Sequence, residues 1–334
     1  MGKKIVGIDF GTNAVKIYKK GAGIAMNEKN VIAIKGKKKV VATGNDAYVM
    51  LGKAPEQIEV TKPIRNGVIA DIGKMQLLLD SLLEQLYNGK VKSSDYLIAV
   101  PMDITEVEKR AFFDLIQRSN AKSKNVFIVE KPLASALGMD IDIESTRGAL
   151  CVDIGADTTE VAIISMEGIV LSKLIPIGGY KMDQLITSSV RRKHNLVIGD
   201  KTAENVKKEL GFACNPENVS MRIFGRDLVS GLPSEVNVSS ELVSDAIHEP
   251  LGSIVSAIRL ILERTPPEIS ADIVNGGVYI TGGSAHIKHL AEFIKDETRL
   301  DVNIVEDSEM SVVNGLGKIA ENRKLLRLTS AVKR

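Results

Sequence analysis

Two stretches of the 334-residue chain place an aspartate at the end of an apolar run and a glycine two residues later. The residues concerned are Asp9, Gly11, Thr12 and Asn13 in the first stretch and Asp153, Gly155, Thr158 and Thr159 in the second. A tight turn of this kind presents backbone N–H groups and hydroxyls to a phosphate, and the carboxylate can hold the counter-cation through water. One such turn would also suit a plain hairpin. The matched pair predicts two loops that clamp one polyphosphate and its Mg²⁺.

A third glycine turn, T-G-G-S-A-H-I, ends a predicted strand that begins at Val278. It places Gly282, Gly283 and Ser284 at the start of a predicted helix, where backbone N–H groups and the helix dipole suit an anionic nucleotide. An ordinary tight turn would show the same pattern. The stretch therefore supports a nucleotide site only together with the two aspartate loops.

The elements around these loops repeat. Asp9 and Asp153 are 144 residues apart, and each copy reads as strand, glycine turn and strand, with second strands predicted over residues 15–18 and 161–164. We interpret this as an internal duplication, which predicts two similar α/β domains facing each other.

Further elements are predicted between and after the copies. A strand over residues 96–101, a helix over 104–120, a strand over 125–132 and a second helix predict a parallel sheet with crossover helices. Residues 182–211 read as helical, and residues 239–265 as one long helix. The basic tail from Glu321 onward reads as an exposed helix end.

Composition narrows the class of protein. Lys and Arg number 44 against 42 Asp and Glu, a net charge of +2 that would not attract nucleic acid. No apolar run approaches the roughly 18 residues of a membrane helix. Cys151 and Cys214 are too few for a disulfide framework or a metal cluster, and the four histidines are scattered, which argues against zinc. These features predict a soluble cytoplasmic protein.

Many segments resemble MreB-type bacterial actins, in that family's order, over about residues 3–322. They include GIDFGTNAVKIY, KPIRNGVIAD, VEKPLASALG, VDIGADTTEVAIIS, GDKTAENVKKELG, TPPEISADI and YITGGSAHIKHL. The wider superfamily also contains sugar kinases and heat-shock chaperone ATPases, but KPIRNGVIAD and TPPEISADI are specific to the MreB branch. The combination most resembles the divergent MreB paralogues of helical wall-less bacteria.

The resemblance implies an α/β actin-like fold of two duplicated ribonuclease-H-like domains, each with a smaller insertion, and ATP or ADP with Mg²⁺ in the cleft. It predicts a first core over residues 1–32, 66–145 and 317–334 with an insertion over 33–65, and a second core over 146–178 and 243–316 with an insertion over 179–242.

The resemblance also implies roles for individual residues. Asp9 and Asp153 would order the Mg²⁺ shell, and Glu204 and Lys207 would flank the ribose and adenine. The phosphate loops would be Gly11, Thr12 and Asn13 and then Gly155, Ala156, Asp157, Thr158 and Thr159, and the adenosine would rest on Gly282 and Gly283 with Ser284 beside them.

One departure bears on catalysis. The family has a carboxylate before the proline of its E-E-P motif, which helps to position the attacking water, whereas this chain reads Glu130-Lys131-Pro132. An ammonium cannot accept a proton from water, so we expect nucleotide binding with weak hydrolysis, at most a slow ATPase. The alternative is an active ATPase in which a small strand shift lets Glu130 replace the missing carboxylate.

A second departure lies in the second phosphate loop, which reads D-I-G-A-D-T-T-E where the family has D-I-G-G-G-T-T-E. Ala156 adds a Cβ and Asp157 a negative charge, while Thr158, one of the candidate catalytic residues with Glu130 and Lys131, is retained. We hypothesise that Lys131 and Asp157 pair in the space of the attacking water. The alternative is two solvated surface charges.

The leading hypothesis is an ATP-binding cytoskeletal protein that forms filaments and acts in cell shape or shape-linked motility. Its subunits would associate head to tail, pairs of protofilaments being the expected assembly, and other bacterial actin paralogues would be further partners. A small-molecule kinase would need a carboxylate base where Lys131 stands, and a chaperone-like ATPase would need a peptide-binding domain.

Peripheral membrane contact is left open. The chain begins at its first predicted strand, so we expect no N-terminal amphipathic helix. The loop over residues 87–94 is polar apart from Tyr87 and Val91, and residues 324–328 could lie on a surface or pack as a terminal helix.

Overall fold

The computed structural model describes residues 4–36 and 39–331. Its strands are β1 Ile5–Phe10, β2 Ala14–Lys19, β3 Gly23–Lys29, β4 Ile32–Lys35, β5 Lys39–Thr43, β6 Ile58–Thr61, β7 Ile64–Arg65, β8 Val68–Ile69, β9 Ser94–Val100, β10 Ser123–Glu130, β11 Ala149–Ile154, β12 Thr159–Ser165, β13 Gly168–Ile175, β14 Leu196–Val197, β15 Ser220–Asp227, β16 Pro233–Ser239, β17 Val278–Thr281, β18 Val302–Ile304 and β19 Ser330–Ala331. Its α-helices are α1 Gly44–Met50, α2 Ile72–Leu86, α3 Glu106–Arg118, α4 Lys131–Gly138, α5 Gly179–His194, α6 Asp200–Leu210, α7 Ser240–Glu263, α8 Pro267–Gly276, α9 Leu290–Thr298 and α10 Ser311–Glu321. Short 3₁₀ helices lie at Gly283–His286, Ser308–Met310 and Arg323–Leu328.

The chain divides into two compact units. Unit 1 comprises Met1–Thr146, Ile164–Leu174 and Glu309–Arg334, and unit 2 comprises Arg147–Ile163 and Ile175–Ser308. The subdomain boundaries expected from the resemblance divide the chain more finely and stay a prediction. Among the described residues, no helix combines the length and apolarity that crossing a membrane requires.

Unit 1 is built on a sheet with the strand order β19-β10-β9-β1-β2-β3. Strands β1, β9 and β10 run parallel, and β1 pairs antiparallel with β2. All of β1 is buried, as expected for a strand covered on both faces. The buried sides of α2 and α3 share one hydrophobic core with it, including Leu79, Phe112 and Ile8.

Helices α4 and α10, also in unit 1, approach each other closely. A Cβ on Gly315 of α10 would lie 1.7 Å from the carbonyl oxygen of Ala134 in α4, so only glycine permits this backbone contact. The contact fixes the helix that begins at Lys131.

Unit 2 repeats the plan of unit 1. Its main sheet contains the order β12-β11-β17-β18, in which β11 runs parallel to β17 and β17 to β18. A smaller sheet, β14-β15-β16, lies in the part of the chain that also contains α5 and α6. The strand–turn–strand copies β1–β2 and β11–β12 confirm the predicted duplication, and in each copy the aspartate is the last but one residue of its strand.

Three local predictions were wrong. The strand predicted over 125–132 ends at Glu130, because Pro132 at the second helical position favours the start of α4. In the helix predicted over 104–120, the helical spacing of the apolar residues includes Val107 and predicts that it is buried, but Val107 is 79% exposed. The tail does not form an exposed α-helix: a 3₁₀ helix with half-buried leucines precedes β19, which pairs with β10.

Candidate functional site

Asp9 lies at the end of β1, where the parallel strands of unit 1 present their carboxyl ends. It is only 4% exposed. Lys131 Nζ lies 3.1 Å from its Oδ1, and Lys16 Nζ, on the paired strand β2, lies 3.7 Å from its Oδ2. Burial, the largest single influence, raises the pKa of Asp9, but the two ammonium groups together outweigh it and hold the pKa below its usual value. Asp9 is therefore an ionised carboxylate held between two cations.

Lys131 reaches Asp9 because of the register of three strands. In the sheet, Asp9 is opposite Ala99 of β9, and Ala99 is opposite Val129 of β10. The chain leaves β10 one residue later and turns into α4, whose first residue is Lys131. Its side chain is 15% exposed. Position 131 thus holds a largely desolvated ammonium in an ion pair with Asp9.

The turn after β1 is fixed by one buried residue. Asn30, which is fully buried, donates through Nδ2 to the carbonyl oxygen of Gly11 (2.8 Å) and through its backbone N–H to that of Asn13 (2.9 Å). Lys29 Nζ donates to Oδ1 of Asn13 at 3.0 Å. Thr12, between them, is buried. The predicted first phosphate loop is therefore a rigid turn, and Asn30 is a residue that sequence reasoning missed.

The loop after β11 in unit 2 is joined to two other segments. The backbone N–H of Gly155 donates to the carbonyl oxygen of Thr158 (2.9 Å), which closes the turn. The carbonyl oxygen of Gly155 accepts from the N–H of Gly179 (3.1 Å) and from Oγ of Ser284 (3.1 Å). The N–H of Tyr180 donates to the carbonyl oxygen of Ala156 at 2.7 Å. The structure thus brings the predicted loops at Gly155 and Ser284 together.

Gly282 packs directly against Asp153. Its φ is +89°, and a Cβ there would lie 2.4 Å from Asp153 Oδ1 and 2.4 Å from the carbonyl oxygen of Ile154. Ser308 holds this turn, because its Oγ donates to the carbonyl oxygen of Gly282 (3.0 Å) and its own carbonyl oxygen accepts from the Gly282 N–H (3.1 Å). Ser308 had no signal in the sequence.

Helix α6 carries the residues predicted to flank the ribose and adenine. Lys207 Nζ lies 2.8 Å from Asp183 Oδ1 and donates to the carbonyl oxygen of Gly179 at 2.8 Å. Lys207 therefore fixes α6 to the start of α5, and Asp183, buried on the apolar side of α5, is the partner that sequence reasoning missed. Glu204 accepts from Lys208 Nζ at 2.6 Å. The nucleotide contacts of Glu204 and Lys207 stay predictions.

The two aspartates fit Mg²⁺ differently. The carboxylate of Asp153 is half-buried and has the chemistry of a ligand for a hydrated Mg²⁺, with Gly282 packed against it. At Asp9, by contrast, Lys131 and Lys16 lie beside the two carboxylate oxygens. Direct Mg²⁺ ligation at Asp9 does not fit the arrangement, because an ammonium holds the cation position. The predictions that Asp9 and Asp153 serve one ion, and that Lys131 pairs with Asp157, stay predictions.

The predicted membrane segments are partly packed. Tyr87 and Val91, the apolar residues of the loop over 87–94, are buried. Arg327, in the tail, donates to carboxylate oxygens of Glu144 and Glu167. The leucines of the tail, Leu325, Leu326 and Leu328, are half-buried.

Known proteins are similar to this sequence over nearly its whole length. The family model for MreB/Mbl protein matches residues 3–328. The chain is 38% identical over 322 residues to the cell shape-determining protein MreB of Escherichia coli strain K12, covering 94% of this chain and 92% of that protein. It is 38% identical over 322 residues to the cell shape-determining protein Mbl of Bacillus subtilis strain 168, covering 95% and 96%.

Solved structures show the same fold. MreB5 of Spiroplasma citri, crystallised with ADP, superposes with a TM-score of 0.91 at 34% identity over 97% of this chain and 98% of that chain. The MamK double helical filament, at 21% identity and a TM-score of 0.81, supports the actin-like fold alone. The chain has the actin-like fold and belongs to the MreB/Mbl family.

Proposed function

We propose that the chain is an ATP- and ADP-binding cytoskeletal protein that forms filaments, acts in cell shape or shape-linked motility, and hydrolyses ATP slowly or not at all. Family membership supports the cytoskeletal role, because relatives in E. coli and B. subtilis are cell shape-determining proteins. The related MreB5 of Spiroplasma citri has been crystallised with ADP and with AMPPNP, which supports nucleotide binding here.

The hydrogen-bonded loops support a phosphate site. The carbonyl oxygens of Gly11 and Gly155 accept hydrogen bonds from other residues of the protein. Carbonyl groups directed into the protein favour the presentation of N–H groups and hydroxyls to an anion. The adenosine would rest on the turn at Gly282, which Ser284 follows. Asp153 would supply a carboxylate for the hydration shell of Mg²⁺, whose charge would offset the phosphates.

The ion pair between Lys131 and Asp9, at 3.1 Å, is the observation that carries the proposal of weak hydrolysis. An ionised carboxylate stabilises the ammonium form of the lysine. Lys131 then has no lone pair with which to orient or deprotonate water. Loss of a general base slows such steps by about 10²–10⁴. Phosphate release should therefore be slow while nucleotide stays bound.

Phosphate release and nucleotide affinity, measured together, test this proposal. Lys131→Glu should raise phosphate release by about 10-fold or more, and Lys131→Glu with Asp157→Gly should raise it further. The assay uses excess Mg²⁺, because the new carboxylate lies beside Asp9. Lys124→Glu, at an exposed position of β10, is the matched control and should leave the rate unchanged.

Two results would overturn the weak-hydrolysis proposal. One is a wild-type rate at the pace of ordinary family members, in which case Glu130→Gln should abolish it and show that Glu130 is the base. The other is a slow wild type in which neither Lys131 variant gains activity, which would place the block elsewhere, with Ala156 as the next candidate.

Self-association is the second part of the proposal. Among the described residues of unit 2, the β15–β16 hairpin exposes Phe224 (62%), Val229 (85%) and Leu232 (64%). Apolar side chains grouped on one exposed hairpin mark an interaction surface. A head-to-tail contact that never closes would make a protofilament, and this contact should bury at least about 1,000 Å². Two such protofilaments could then pair. Sedimentation that shows only monomer at high concentration with ATP and Mg²⁺ would contradict it.

The remaining partners follow from the same family. We propose a cytoplasmic location and co-assembly with other bacterial actin paralogues. Peripheral membrane contact would need a surface other than the buried pair Tyr87 and Val91. Co-pelleting with paralogues and flotation with anionic vesicles test these two points separately.

A further inference from the structure

Two segments of unit 2 meet beside the candidate nucleotide loops without taking part in them. One is the turn after α6, and the other is the stretch that leads into α9. They form a short parallel bridge at Phe212 and Lys288, in which the N–H of Ala213 donates to the carbonyl oxygen of Lys288 (2.8 Å) and the N–H of Lys288 to that of Gly211 (3.2 Å). The bridge fixes the backbone on both sides of the residues that follow it.

Three different metal-binding side chains converge directly after this bridge. Sγ of Cys214, a ring nitrogen of His289 and a carboxylate oxygen of Glu292 all lie within 4.8 Å of one another. Cys214 and His289 are half-buried, and Glu292 is exposed. Thiolate, imidazole and carboxylate are the ligands of zinc sites. Tetrahedral zinc with bonds of about 2.0–2.3 Å needs ligand atoms roughly 3.3–3.8 Å apart. Glu292 is exposed, so its side chain can rotate to bring the carboxylate closer to the other two ligand atoms.

A supporting contact orients the imidazole. His289 Nδ1 lies 3.0 Å from the carbonyl oxygen of Cys214. A carbonyl only accepts, so Nδ1 carries a proton, which leaves Nε2 as the nitrogen that can face a metal ion. The ring is also held edge-on against Phe212, with centroids 5.3 Å apart at 69°. An imidazole whose second nitrogen donates to a carbonyl is the usual state of a metal-binding histidine.

The surroundings of the sulfur suit a cation. Asn215 Nδ2 donates to Cys214 Sγ at 3.9 Å, and the thiol itself donates to the carbonyl oxygen of His289 at 3.7 Å, so a metal ion would replace the proton of that contact. The carboxylates of Glu292 and Asp296 act on the sulfur at short range, so the nearby side-chain charges are negative and would attract a cation. A metal ion would bind the sulfur as thiolate.

We propose that Cys214, His289 and Glu292 bind one Zn²⁺ ion, with water as the fourth ligand. The counts of cysteine and histidine argued against zinc, but they carry no information on which residues meet in space. The ion would link the turn after α6 to the start of α9. Helix α6 carries Lys207, and α9 follows the Gly282–Ser284 turn. The site is independent of the proposed ATP chemistry.

Metal titration of the untagged full-length chain tests the site. The protein is stripped with a chelator, kept free of nucleotide and held in excess Mg²⁺, so that hard carboxylate sites are filled. Co²⁺ should then give the visible bands of a tetrahedral site and a thiolate-to-cobalt charge-transfer band, saturating at one ion per chain. Zn²⁺ should displace Co²⁺ and abolish both bands.

Two variants and a control complete the experiment. Cys214→Ser should lose the charge-transfer band and weaken Zn²⁺ binding by at least about 10-fold, and Glu292→Gln should keep the band but weaken binding by about 10-fold. Glu268→Gln, an exposed carboxylate at the start of α8, should bind as the wild type does. The exposed Glu292 can be replaced without effect on folding, so the test survives if Cys214→Ser misfolds. A wild type without a tetrahedral cobalt spectrum, or variants that all bind Zn²⁺ like the wild type, would overturn the proposal.

Discussion

Replacing Lys131 by methionine should destabilise unit 1 in the absence of Mg²⁺. The change removes the ammonium 3.1 Å from Asp9 but keeps most of the aliphatic length. Asp9 is 4% exposed and ionised, so it would be left with Lys16, at 3.7 Å, as its remaining ion-pair partner. Breaking a buried ion pair costs about 3–5 kcal/mol. Because Lys16 stays and the Lys131 side chain is 15% exposed, we expect a smaller loss of about 2 kcal/mol in the free energy of unfolding.

Thermal unfolding of nucleotide-free protein measures this loss. For a domain of this size, 2 kcal/mol corresponds to a decrease in Tm of roughly 4–8 °C. Added Mg²⁺ should recover part of the decrease in Lys131→Met, since the vacated cation position beside Asp9 can then accept it, and should change the wild type less. Lys124→Met, at an exposed position of the preceding strand, is the matched control and should melt with the wild type.

A Lys131→Met variant that melts within about 1 °C of the wild type at both Mg²⁺ concentrations would refute this reasoning, since a difference that small is below the expected loss. It would mean that the ion pair with Asp9 contributes nothing in solution. The explanation of weak hydrolysis by a Lys131 held in an ion pair with Asp9 would then also be refuted.

Three further outcomes are expected. Gly282→Ala should lower nucleotide affinity at least about 10-fold in an equilibrium titration. An alanine at φ +89° is strained, and its Cβ would lie 2.4 Å from the Asp153 carboxylate. Val229→Lys with Leu232→Lys should abolish pelleting with ATP and Mg²⁺. In native protein near pH 8, a thiol reagent should label Cys214 but not Cys151, because burial raises the pKa of Cys151 to about 12 and it stays a shielded thiol.

Each of these outcomes has a matched comparison. Gly276→Ala, at an exposed position at the end of α8, should bind nucleotide normally, because a Cβ there meets nothing within 4 Å, and equal losses in both glycine variants would contradict the packing argument. Val107→Lys, at a valine 79% exposed in α3, should pellet like the wild type. Rapid labelling of two thiols in the folded protein would show that Cys151 is not shielded.

The local pattern of the sequence was sufficient for the elements near the candidate site. Apolar runs ending in aspartate and glycine predicted β1, β2, β11 and β12, and the resemblance predicted the family and the actin-like fold. These succeeded because strand periodicity and turn chemistry are encoded within a few neighbouring residues. The end of β10 was misplaced because the helix-starting preference of Pro132 was not weighed against the apolar run before it.

Contacts between distant residues were decided only by tertiary structure. Lys131 was recognised as a departure from the family, but its partner Asp9 follows from the register of three parallel strands and lies 122 positions earlier in the chain. Ser308 and Asp183 escaped notice because a serine or aspartate gains its role from the backbone or lysine that packs beside it. Cys214 and Glu292 are ordinary residues in a linear reading, and only the bridge between two segments brings them to one point. Sequence pattern encodes which element forms; which charges meet depends on packing, because electrostatic energy follows distance in space rather than distance along the chain.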